Sequence, residues 1–203
     1  MSLRLGLVGG TFDPVHLGHL ALAQAALECG GLDRVLLVPS ARPPHRRPAQ
    51  APAEDRYNMT RLAATGLERI EVSDLELQRP GPSYTVDTLA ELHRRHPEAE
   101  LFLVLGWDAA REIRSWHQPE RVLELARLIV VNRPGLPAPR EEDLRAAGLD
   151  PERVLLCAAE TPDINATHVR EVLAGGGNLD GLLHPAVAAY LNERGLYRRR
   201  DRE

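Results

Sequence analysis

The 203-residue chain contains no lysine, since all 25 of its basic side chains are arginines. A Schiff-base amine and the GxxxxGK[ST] phosphate loop both need an ammonium group, so pyridoxal-type catalysis and a Walker-type nucleotide site are excluded. Any bound phosphate must be held by Arg, His, hydroxyls or backbone N–H groups. Cysteine is nearly absent as well. Cys29 and Cys157 stand far apart, without CxxC spacing or a neighbouring Cys/His cluster, so neither a disulfide framework nor a zinc site is expected and both should simply pack. No apolar run approaches the roughly 18 residues of a membrane span, and the N-terminus lacks a secretory cleavage pattern, so no membrane partner and a cytoplasmic location are expected. The net charge of −4, with acidic and basic residues interspersed, argues against a nucleic-acid surface. The one dense basic run, YRRRDRE at Tyr197–Glu203, reads as a solvated end. What remains is 43% hydrophobic and 27% charged, the composition of a folded globular protein. Residues 1–203 are read as a single domain with a small C-terminal helical portion from about residue 165. A homo-oligomer is left open.

Short apolar runs alternate with helical periods. Leu3–Val8, Arg34–Pro39, Leu101–Leu105, Leu128–Asn132 and Val154–Ala158 are closed by Gly, Pro or polar residues, as buried strands are. Leu20, Ala23, Gln24 and Leu27 mark one helical face, and Val86, Leu89, Ala90 and His93 another. Strand and helix in alternation imply right-handed crossovers and an α/β fold, a Rossmann-like, mainly parallel sheet with helices on both faces. Ligands of such sheets lie beyond the carboxyl ends of the strands. The segments to search are therefore Gly9–His19, Ser40–Pro48, Gly106–Trp116, Asn132–Pro139 and Glu160–Arg170. The Pro- and Arg-rich stretch Ala41–Ala53, which precedes a helix-like Glu54–Leu67, reads as a mobile lid or substrate loop.

The most informative segment is GGTFDPVHLGH, Gly9–His19, where the first strand runs into an amphipathic helix. Gly9 and Gly10 let the backbone turn closely around an anion, Thr11 adds a hydroxyl, and the first N–H groups of the helix carry the positive end of its dipole. His16 and His19 are three residues apart, hence on one side of the first turn, and Gly18 leaves room for a ligand against the backbone. Asp13 is read as a turn residue in preference to a metal ligand. His45, His93, His96, His117, His168 and His184 show no metal spacing.

This segment resembles the HxGH signature of the nucleotidyltransferase superfamily, and in its TFDP version it is similar to the bacterial nicotinate-nucleotide adenylyltransferases. PPHRR at Pro43–Arg47, SYTVDTL at Ser83–Leu89, GWD at Gly106–Asp108 followed by Trp116, NRPG at Asn132–Gly135 and INATHVR at Ile164–Arg170 agree in order and spacing. The chain departs from the family at Arg46, where Lys is usual, at Asn165 and Ala166, which replace two serines, and at Trp107, where a small residue is common and packing is the expected role.

The resemblance implies that His16 and His19 are catalytic, donating to the α- and β-phosphates of ATP. It implies an ATP and phosphate site of Gly9, Gly10, Thr11, Phe12, Gly18, Arg46, Gly106, Asp108, Thr167 and Arg170. Thr167 and Arg170 would share a helix face, with a capping Thr and an exposed Arg as the alternative; a solvated Arg46 is likewise open. Asp108 would hold a ribose or cap a helix. Ser83, Tyr84, Thr85 and Trp116 would bind nicotinate mononucleotide, with Trp116, otherwise a core residue, stacked on the pyridine ring. Arg133 and Pro134-Gly135 would shape the adenine side. Mg²⁺ would be bound mainly through the phosphates, with no metal ligand from the chain. The activity implied is adenylyl transfer from ATP to nicotinate mononucleotide, giving deamido-NAD and pyrophosphate by direct displacement. The alternatives are a related enzyme acting on nicotinamide mononucleotide, pantetheine phosphate or glycerol phosphate, and a nucleotide sensor without activity.

Overall fold

The structure, a computed structural model, describes residues 2–44, 48–132, 138–159 and 161–198. Six strands, β1 (Arg4–Gly10), β2 (Arg34–Pro39), β3 (Ile70–Val72), β4 (Glu100–Gly106), β5 (Arg127–Val131) and β6 (Val154–Cys157), form one sheet in the order β3-β2-β1-β4-β5-β6. Every pairing is parallel. The order reverses between β1 and β4, which opens a crevice beyond their carboxyl ends. β3 escaped the sequence reading because three residues carry no measurable alternation.

Helices α1 (Leu17–Cys29), α2 (Ala53–Ala63), α7 (Ala166–Ala174) and α8 (Pro185–Arg194) cover one face, while α3 (Thr85–Arg95), α5 (Pro119–Leu125) and α6 (Glu141–Ala146) cover the other. Alternation along each strand divides the core. In β4, Phe102 and Val104 join the α1 side, whereas Leu101, Leu103 and Leu105 join the α3 side. Gly6 is needed where α1's following loop crosses β1, since a Cβ there would sit 2.7 Å from Leu32 Cδ1.

Two expected helix faces are corrected. On α1 the buried residues are Ala23, Ala25, Ala26 and Leu27, while Gln24 is exposed and bonds Glu28. On α3 they are Val86, Thr88, Leu89 and Leu92, while Ala90 and His93 are exposed. The stripe follows the sheet, against which i+3 and i+6 positions stay in contact. The segment after β4 holds two short pieces, α4 (Trp107–Ala110) and a 3₁₀ turn, Ile113–Ser115.

The cysteines are also corrected. Cys29 at the end of α1 and Cys157 at the end of β6 form a disulfide, with Cα atoms 6.0 Å apart across 128 residues of chain. Sequence spacing carries no sign of this, because the proximity is made by α1 packing across the sheet toward its edge strand. No helix among the described residues is long and apolar enough to cross a membrane.

Candidate active site

At the β1–α1 junction the backbone turns as the double glycine suggests. A Cβ on Gly9 would meet nothing within 4 Å, whereas Gly10 lies against the Phe12 ring. Phe12 adopts φ +48° and its side chain is buried in the core, so it offers the site main-chain groups alone. The space at Gly18 is taken by the His16 ring and the Ile164 carbonyl, which corrects the expectation of room for a ligand there. His16, buried, is the N-cap of α1, and its ring stacks on His19 with centroids 3.7 Å apart. The His16 N–H donates to His19 Nδ1 at 3.2 Å. A neutral His19 accepting there carries its proton on Nε2.

Asp13 is the hub of this junction. Its carboxylate accepts the N–H groups of Gln50 (2.8 Å) and Ala51 (3.0 Å) and the Tyr197 hydroxyl (2.6 Å), which ties the end of the Pro-rich loop and the C-terminal segment to one turn. These bonds spend the carboxylate on a structural turn, in keeping with the preferred reading of this residue. Burial and the bond to Asp13 push the Tyr197 phenol up, so it stays protonated and a donor. Arg56, on α2 and 1% exposed, donates to the carbonyls of Thr11 (2.6 Å), Ala51 (3.2 Å) and Ala41 (3.4 Å). Burial pulls its pKa down and the nearby Asp13 opposes the shift, an arrangement that offsets part of the cost of an interior cation. Arg170 donates to the Asp13 carbonyl at 2.6 Å and to Thr167 Oγ1 at 3.2 Å, so these two residues do share a face of α7 and meet the junction. The cap of α7 is Asn165, which accepts the His168 N–H at 2.9 Å; the residue that departs from the family serves as a good N-cap.

A cavity of about 420 Å³ extends from this junction across the sheet edge. Gly9, Gly10 and Thr11 line it together with Ser83, Tyr84, Thr85 and Trp116, so seven of the residues named from sequence meet in it. His16, His19, Phe12, Gly18, Gly106, Asp108, Thr167 and Arg170 are not in its wall. Tyr84 caps α3 and stacks on His117, centroids 4.1 Å apart. His117, dismissed from sequence because it fits no metal pattern, thus lines the cavity beside Trp116.

Ser83 plays a different part from the one expected. Its Oγ accepts the N–H groups of Ala41 (3.0 Å) and Arg42 (3.1 Å), and its proton goes to the Glu76 carboxylate. One proton and two lone pairs are the whole capacity of a hydroxyl. Ser83 therefore ties the start of the Pro-rich loop to α3 instead of reaching toward a ligand. Glu76 also accepts the Thr88 hydroxyl at 2.6 Å and lines the cavity at 6% exposure. Burial raises its pKa, while the bonds from Thr88 and Ser83 and the Arg79 charge pull the other way. No periodicity marked Glu76, which lies in an irregular loop. The expected lid is fastened at both ends, by Ser83 and by Asp13.

Asp108 is exposed at the second position of α4, 3.4 Å from Arg111, and the cap there is Gly106, so the capping alternative is corrected. Trp107 packs, half-buried, against the α3-side core. Arg46, His45, Arg133, Pro134 and Gly135 lie outside the described residues. No group of three metal-ligating side chains occurs among the described residues.

A parallel sheet with a glycine-lined, helix-headed junction at its switch point defines a nucleotide-handling α/β protein of the Rossmann-like class. Residues 7–172 match the family described as Cytidylyltransferase-like. A Thermus thermophilus protein named "Probable nicotinate-nucleotide adenylyltransferase" is 47% identical over 196 residues, 97% of this chain and 100% of that protein. One of the same name from Pseudomonas putida is 41% identical over 208 residues, 96% of this chain and 95% of that one. Among solved structures, Plasmodium falciparum nicotinic acid mononucleotide adenylyltransferase complexed with NaAD superposes with a TM-score of 0.81 at 19% identity, covering 96% of this chain and 97% of that one, a likeness of fold. The chain belongs to the nicotinate-nucleotide adenylyltransferase family of nucleotidyltransferases.

Proposed function

We propose that the chain joins ATP and nicotinate mononucleotide into deamido-NAD and pyrophosphate. The observation that carries this reading is one cavity lined both by a glycine-rich junction and by the aromatic residues at the start of α3 and after α4, in a chain alike over 97% of its length to a protein of that name. A mononucleotide phosphate oxygen attacks the α-phosphorus of ATP, the bond to the β-phosphate breaks, and pyrophosphate leaves in line. No covalent enzyme intermediate is needed, since positioning and charge stabilisation suffice.

The His19 Nε2 proton and the N-terminal amides of α1 meet the charge that spreads over the transferring group. Arg170, held on the Asp13 carbonyl, brings a guanidinium and the Thr167 hydroxyl toward the same phosphates. At the other end, α3 presents its first-turn N–H groups where the nicotinate carboxylate would lie, and the positive end of its dipole favours an acid over an amide. Trp116 supplies a ring face for the pyridine.

Magnesium is taken as part of the substrate, MgATP. The donors around the junction are imidazoles, hydroxyls, guanidinium and amide N–H groups, and the Asp13 carboxylate is already spent on protein donors. Such a set addresses phosphate oxygens and leaves the ion to phosphates and water, where it neutralises charge. The reading of residues 1–203 as one unit is supported by α7 and α8 sharing the α1-side core.

The test is pyrophosphate release by the purified chain with MgATP and a panel of acceptors, with chromatography of the product. Nicotinate mononucleotide should give the highest kcat/KM and yield deamido-NAD. A higher value with nicotinamide mononucleotide, pantetheine phosphate or glycerol phosphate, or no release with any, refutes the reading.

A further inference from the structure

We propose that Glu76 is a positioning residue for the acceptor: by holding the Ser83 proton it keeps the start of the Pro-rich loop and the head of α3 together as two walls of one cavity, an inference that rests on the acceptor proposed above. The walls come from segments far apart in the chain. Pro43 and Pro44 belong to one and Tyr84 and Thr85 to the other, and Ser83 and Glu76 line the cavity with them. Hydrogen bonds join the two segments at Ser83. Its N–H donates to the Arg42 carbonyl at 2.9 Å, and its Oγ accepts the N–H groups of Ala41 at 3.0 Å and Arg42 at 3.1 Å.

A hydroxyl can turn both lone pairs on the loop only while its proton is taken on another side. Glu76, in the irregular segment after β3, takes it. The same carboxylate accepts the Thr88 hydroxyl of α3 at 2.6 Å. Arg79 completes the group, donating to Thr88 Oγ1 at 3.2 Å and to the Tyr84 carbonyl at 3.4 Å, and its charge offsets that of the buried carboxylate. Without an acceptor at position 76 the Ser83 proton has to find another partner, the hydroxyl turns, and one loop amide loses its bond. Pro43 and Pro44 then shift against Tyr84 and Thr85. Glu76 does not itself bind the anionic acceptor, since its oxygens already accept two hydroxyls; it acts through the walls that do.

The assignment is tested with Glu76→Met, which fills the space without an acceptor, Glu76→Gln, which keeps one, and Ser83→Ala. Glu76→Met and Ser83→Ala should each raise KM for nicotinate mononucleotide about 5- to 20-fold, the worth of one or two hydrogen bonds, with kcat and KM for ATP within about twofold of the wild type. Glu76→Gln should stay within about threefold, because its carbonyl still accepts the Ser83 proton while its amide donates to Thr88. The double variant Glu76→Met/Ser83→Ala should be no worse than the worse of the two single ones, since both break the same tie. In the ligand-free chain, hydrogen exchange at the Ala41 and Arg42 amides should speed up about tenfold in Glu76→Met. Glu76→Asp, whose shorter side chain withdraws the acceptor but keeps the charge, replaces Glu76→Met if that variant does not fold, with the same expected rise. An unchanged KM for the mononucleotide, an equal rise for ATP, full additivity, or no rescue by Gln overturns the assignment. A wild type that turns over a different acceptor and not nicotinate mononucleotide defeats the reading of the acceptor; exchange at Ala41 and Arg42 then decides whether Glu76 holds the loop, and no change there defeats this assignment too.

Discussion

Replacing Asp13 by Ala should unfold the junction from the inside. The substitution strands three donors, the N–H groups of Gln50 and Ala51 and the Tyr197 hydroxyl, and takes the nearest carboxylate away from the buried Arg56. A buried donor left unmade costs about 1–3 kcal/mol. The Gln50 N–H and the Tyr197 hydroxyl are only partly buried and can turn to water, so the full cost falls on the Ala51 N–H, the other two add less, and a total of about 2–4 kcal/mol is expected. That is a large part of the roughly 5–15 kcal/mol that holds a domain together. Tyr197→Phe removes one donor and leaves the carboxylate two amides, for about 1–2 kcal/mol. Because both changes act on one bond, their effects should fall short of additive. Urea unfolding of the two single variants and the double variant measures all of this. A loss under about 1 kcal/mol for Asp13→Ala, or full additivity with Tyr197→Phe, would refute the hub described above. At a temperature where both single variants are folded, kcat/KM for ATP should still fall, since the Thr11 and Asp13 carbonyls on which Arg56 and Arg170 rest will have shifted.

Three further outcomes are expected. His16→Ala and His19→Ala should each lower kcat by about 10²- to 10³-fold in steady-state assays with little change in circular dichroism, and near-wild-type rates would remove both rings from the chemistry. Burial holds the Glu76 proton more tightly in the folded chain than in the unfolded one, so its contribution is complete below the ordinary value of 4.5 and is lost as pH rises through the folded value. The stability of the wild type relative to Glu76→Gln should therefore decline from pH 4 toward 7 in urea titrations, and a flat or rising difference speaks against the shift. The disulfide closes 128 residues, so Cys29→Ser should lower stability by up to about 5 kcal/mol, and thiol titration of the native, unreduced protein should find no free thiol.

Alternation of apolar runs with helical periods was enough to read the parallel α/β fold, because a strand buried on both faces and a one-sided helix leave different local marks. Five of the six strands, the close turn at Gly9–Thr11 and the α7 face of Thr167 and Arg170 were legible for that reason. The rest depended on what the sheet order brings together. Ser83 reads as a ligand until β2's loop is seen to take both of its lone pairs. Glu76 and Tyr197 sit in segments with no helical or strand pattern of their own, and they and Arg56 of α2 acquire a part through partners up to 184 residues away. Cys29 and Cys157 pair across 128 residues for the same reason. Local sequence determines which segments can be strand, helix or anion-binding turn, since those depend on neighbours along the chain; which polar groups are spent on the protein and which are kept for a ligand depends on neighbours in space, and tertiary structure alone decides it.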